Sequence, residues 1–81
     1  MKRYYVNKDA KIQDGQHEVH HEDCENLSNE AYNIYLGEFN TCIGALARAK
    51  RIFPGSNGCR TCCNFCHTRE PKTQFSYLRP G

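Results

Sequence analysis

Six cysteines and four histidines in an 81-residue chain are the side chains most able to do chemistry, and their spacing points to metal ligation. Tetrahedral zinc takes four sulfur or nitrogen donors, and two cysteines separated by two residues wrap a tight turn so that both thiolates face one ion. Cys59-Arg60-Thr61-Cys62 meets that need, and Gly58 directly ahead of it suits the close backbone approach such a turn demands. The second pair must come from elsewhere. His20-x3-Cys24 is its natural source, with His21-x2-Cys24 as a register variant. The expectation is a zinc site of His20, Cys24, Cys59 and Cys62. The cysteine run continues through Cys63-x2-Cys66-His67, so Cys63 and Cys66 form a competing pair, and Cys66 with His67 offers part of a second site.

The other candidate donors have plainer readings. Cys42 falls on the apolar face of an expected helix, where free cysteine behaves as a small buried hydrophobe. His17 reads as a hairpin surface residue, and His21 points to the strand face opposite His20. Six cysteines can also mean disulfides. Against that, Met1–Asp9 shows no apolar signal-peptide core, and no run approaches the roughly 18 apolar residues of a membrane span. A soluble, cytoplasmic chain with reduced thiols is expected, which favours metal.

These donors need a scaffold, and at this length the apolar core leaves a thin stability margin, so a staple is expected. Tyr4–Asn7 and Gln16–His21 are β-prone runs forming a hairpin with a long loop around Asp14-Gly15, and Ile34–Phe39 supplies a third strand, with Gly37 marking a bulge or close approach. From Asn40-Thr41, either able to cap, Cys42, Ala45, Leu46, Ala49, Ile52 and Phe53 recur at helical spacing. The turn cluster Pro54–Gly58 ends that helix. The fold class is α+β: a small antiparallel sheet of about three strands with one main helix, stapled by zinc. Residues 1–68 form the domain and 69–81 a C-terminal tail.

Charge is divided along the chain. Residues 1–47 carry four basic and eight acidic groups, whereas residues 48–81 carry seven basic groups and only Glu70. The basic half surrounds the cysteines, a footprint that suits nucleic-acid phosphates, with Arg48, Lys50, Arg51, Arg60, Arg69 and Lys72 as the contacting residues. A protein-interaction surface built from Phe75–Leu78 or from Tyr4, Tyr5 and Tyr32 is the alternative, and a thiol redox sensor using Cys63 and Cys66 is another. No nucleophile with its base and no paired carboxylates are apparent, so an enzyme is not expected.

The run Glu18–Leu27, then Tyr35-Leu36-Gly37-Glu38-Phe39, then Ala45 and Ala49, then Gly58-Cys59-Arg60-Thr61-Cys62 resembles small bacterial zinc domains related to the N-terminal metal-binding domain of Ada. The likeness covers about Tyr4 to His67. It implies an α+β domain with His20, Cys24, Cys59 and Cys62 as ligands. In the Ada domain a zinc-bound cysteine of the first pair accepts a methyl group from a DNA phosphotriester. Here His20 stands at that place, and an imidazole lacks the thiolate this chemistry requires. The resemblance thus implies a structural zinc and strengthens the expected association with DNA; a monomer is expected.

Overall fold

The computed structural model describes residues 1–10 and 15–68. The tail assigned to residues 69–81, with Arg69, Lys72 and Phe75–Leu78, lies outside the described residues.

Strand β1 (Lys2–Asn7) alternates outward Arg3 and Tyr5 with buried Tyr4 and Val6, the period-two pattern of a sheet with one face on the core. It pairs antiparallel with β2 (His17–His21), Val6 opposite Val19 and Tyr5 opposite His20. On its other edge β1 pairs antiparallel with β3 (Asn33–Phe39). The register slips between Tyr4 and Tyr5, which pair with Gly37 and Tyr35 and leave Leu36 as the extra residue of a bulge. Gly37 sits there at φ +120°, a conformation open to glycine but strained for other residues. Its expected role as a bulge marker holds.

The main helix α1 (Cys42–Ile52) starts at Thr41, whose hydroxyl accepts the Ile43 N–H at 3.3 Å. It packs across one face of the sheet and buries Cys42, Ala45 and Ala49, with Leu46 and Phe53 partly covered. Small residues on this face let the helix approach closely. Ile52, expected on the buried face, is 42% exposed.

Two features extend the expected architecture. Ser56–Gly58, read from sequence as part of a turn cluster, forms a fourth strand, β4, parallel to β2. The sheet is therefore mixed, in the order β3-β1-β2-β4. The Ser56 N–H donates to the Phe53 carbonyl at 3.0 Å, so the turn after the helix returns the chain onto the edge of β2. The second feature is a disulfide between Cys42 and Cys66. Cys42 is thus not the free buried thiol its apolar setting suggested, and Cys66 is not a spare donor beside the ligands. His17 also differs from expectation: it is half-buried, its ring stacked on Phe53 at 3.9 Å between centroids.

Candidate metal centre

His20 and Cys24 come from the end of β2 and the turn beyond it, and Cys59 and Cys62 from the knuckle that follows β4. The parallel pairing of β2 with β4 brings them together. Val19 lies opposite Gly58, and the Cys59 N–H donates to the Val19 carbonyl at 3.0 Å, which delivers the knuckle beside His20. The ligand atoms of His20, Cys24, Cys59 and Cys62 all lie within 4.8 Å of one another. A tetrahedral ion with 2.3 Å bonds to sulfur requires donors about 3.8 Å apart. Cys24 Sγ and Cys59 Sγ stand 3.9 Å apart, and so do Cys62 Sγ and His20 Nδ1.

Each sulfur of the cluster also receives a backbone N–H: Asn26 donates to Cys24 Sγ at 3.3 Å, Thr61 to Cys59 Sγ at 3.3 Å and His21 to Cys62 Sγ at 3.4 Å. Such bonds stabilise a thiolate more than a thiol, because the donor meets full negative charge. The Asn26 side chain adds a longer contact to Cys59 Sγ, at 3.9 Å, and bonds Thr61 Oγ1 at 3.1 Å, tying the first donor turn to the second.

Titration behaviour follows from this arrangement. Burial by itself would raise the Cys59 thiol, but the N–H groups and the neighbouring Asn26 and Cys24 outweigh it and hold Cys59 below the usual thiol range. Burial pushes Cys62 strongly up, and negative charge on Cys63 and Cys59 acts in the same direction. Cys63 is likewise raised by burial. Closely spaced thiolates repel one another, so full ionisation of the cluster calls for a cation among them.

The imidazole is oriented from outside the cluster. Glu18, two residues before His20 and on the same strand face, places Oε1 3.5 Å from His20 Nε2. A proton on Nε2 toward this carboxylate leaves the Nδ1 lone pair for a metal, the usual arrangement for metal-binding histidine. His20 is 1% exposed although it faces away from Val19. Isolated in such a place, an imidazole without a partner would be costly.

Gly58 is held by a packing requirement. A Cβ there would stand 2.9 Å from the Cys63 carbonyl oxygen and 3.0 Å from Cys66 Cβ. Below it, the buried Asn57 anchors the far end of the segment: Nδ2 donates to the Thr68 carbonyl at 2.8 Å, and Oδ1 accepts the Gly58 and Thr68 N–H groups at 2.9 and 3.0 Å. His67 donates from Nδ1 to the Gly58 carbonyl at 2.8 Å, a structural bond that accounts for it without a second metal site.

The competing pair does not assemble, because Cys66 is joined to Cys42. Cys63 is a free buried thiol whose Sγ lies 3.8 Å from Cys62 Sγ. The His21 ring turns away from the donors, its Nδ1 accepting the Asp23 N–H at 3.0 Å and its edge meeting Tyr4. Sequence reading missed Glu18, Asn26 and Asn57. Glu18 was open to discovery through its two-residue offset from His20, whereas the other two depend on tertiary placement.

Of the residues assigned to nucleic acid, Arg48, Lys50, Arg51 and Arg60 are exposed. They do not share one face: Arg48 and Lys50 lie roughly 160° apart around α1 at 100° per residue. No helix among the described residues is long and apolar enough to cross a membrane. No family model, curated protein or solved structure matches this chain.

Proposed function

We propose that the chain is a small zinc-binding module, that its metal is structural, and that basic residues of its second half bind nucleic acid without catalysing a reaction. The carrying observation is the four-donor cluster with an N–H on each sulfur. One imidazole and three thiolates suit zinc, which tolerates mixed nitrogen and sulfur donors without a preferred d-electron geometry. Four protein donors fill a tetrahedral shell and leave no open position for a reacting group, which supports a structural role. The likeness to Ada-type domains supports the same ligand set, and His20 in place of a thiolate argues against methyl acceptance.

Native mass spectrometry tests the metal: one zinc per chain is expected, and a folded chain with none overturns the reading. The nucleic-acid part rests on charge. From Phe39 to Arg69 there is no acidic residue, so the described part of this stretch presents cations alone. Binding to DNA or RNA is expected at low salt, weakening steeply as salt rises because each neutralised phosphate releases counterions. A salt-independent affinity, or none at low salt, removes this part while leaving the metal site in place.

A further inference from the structure

On the flank of α1, Ile43, Leu46, Ala47 and Lys50 recur at helical spacing and, with Phe65 and Cys66 from the turn after the knuckle, line an open groove of about 370 Å³. The Cys42–Cys66 disulfide ties α1 to that turn. Phe65 is 81% exposed, the most of any large apolar side chain among the described residues, and Ile43 is 58% exposed. Exposure of this kind on a short turn calls for a reason beyond packing.

The charges around the groove give one. Lys50 is part of its wall, and Arg51 follows Ala47 by one helical turn. Asn64 Nδ2 donates to the Arg60 carbonyl at 3.2 Å, so Arg60 and Phe65 belong to one compact turn. No carboxylate occurs between Glu38 and Glu70. The opposite sheet face also displays aromatic rings, Tyr5 and Tyr35 at 5.3 Å. There, however, Arg3 is engaged by Glu22 and Glu38 at 3.4 and 3.8 Å, and those carboxylates would repel a polyanion.

We propose that the groove binds single-stranded nucleic acid, a base stacking on Phe65 while Lys50, Arg51 and Arg60 meet the flanking phosphates. This rests on the nucleic-acid reading above and specifies its form. A duplex offers phosphates but keeps its base faces stacked, so it gains nothing from a protruding phenyl ring, whereas a single strand offers both. An acidic peptide would match the charge, but its apolar anchors gain by insertion between walls. Phe65 instead stands out with about four fifths of its surface in solvent.

The test is fluorescence anisotropy at about 20 mM salt with labelled dodecathymidylate, a 12-base-pair duplex and a Glu/Leu-rich acidic peptide. The full-length chain is used, with zinc content and circular dichroism checked for each variant. Phe65→Ala is expected to weaken single-strand binding about 5- to 100-fold and to leave duplex binding unchanged, whereas Phe65→Tyr stays within about twofold of the parent. Lys50→Glu should weaken binding more than Arg48→Glu, which lies on the other flank. Equal single-strand affinity of Phe65→Ala and the parent overturns the groove assignment while the nucleic-acid reading survives. Absence of binding to either nucleic acid overturns both. Phe65-dependent binding of the peptide alone assigns the groove to a protein partner and overturns the proposal.

Discussion

Each donor of the candidate metal centre sits where its removal leaves the other three without a complete tetrahedral set. Cys24→Ser, Cys59→Ser and Cys62→Ser are therefore each expected to abolish tight zinc binding, as read by competition with a chromogenic chelator, whereas Cys63→Ser should retain one zinc. Cys63 stands 3.8 Å from Cys62 Sγ but outside the mutually close set of four. A loss on Cys63→Ser equal to that on Cys62→Ser would require a different ligand set. Glu18→Gln keeps the side-chain shape but removes the charge facing His20 Nε2, and a 10- to 100-fold lower zinc affinity is expected, within about the range of such outer partners. Gly58→Ala brings a methyl group into contact with the Cys63 carbonyl and Cys66 Cβ, and a loss of about 1–3 kcal/mol should appear in urea unfolding.

At the level of elements, α1 depends on its cap and on its covalent tie. Thr41→Ala removes the acceptor for the Ile43 N–H, which costs about 1 kcal/mol. For a domain of this size that is a fall of about 4–8 °C in melting temperature. Cys42 and Cys66 are 24 residues apart, and the loop-entropy relation gives about 3.5 kcal/mol for closing such a loop. Replacing both by alanine should lower stability by that order in chelator-treated protein; no change in the unfolding midpoint would count against the disulfide. The three longer strands were legible in the sequence as β-prone runs between turn residues, and the helix because its apolar residues recur at helical spacing. β4 was not: Ser56-Asn57-Gly58 has no strand propensity, and only the side-chain bonds of Asn57 and the edge of β2 make it one. The clustering of His20, Cys24, Cys59 and Cys62 was legible because few residue types serve as metal donors and the spacing of the knuckle is restrictive. The disulfide was hidden by the opposite logic, since Cys42 looks like any small residue on an apolar stripe and its partner lies a whole helix away.

For the molecule as a whole, loading of the proposed metal is expected to release protons. Burial raises the Cys62 thiol, so at neutral pH it carries its proton before metal binds, and the ion must displace it. Affinity should rise with pH by about tenfold per unit for each proton released. It should fall as acid returns protons to the thiols. Isothermal titration in buffers of different ionisation enthalpy counts those protons, and a pH-independent affinity between pH 6 and 8 would exclude Cys62 as a ligand.

The metal donors and the disulfide interleave along the chain, in the order Cys24, Cys42, Cys59, Cys66, so neither closed loop lies inside the other. A protease that cuts once between Cys24 and Cys42 leaves two pieces bridged by the metal but not by the disulfide. A cut between Cys62 and Cys66 leaves pieces bridged by the disulfide alone. The nicked protein therefore records where it was cut: chelator releases the first pair of fragments and reductant the second. A cut between Cys42 and Cys59 should require both reagents before the fragments part.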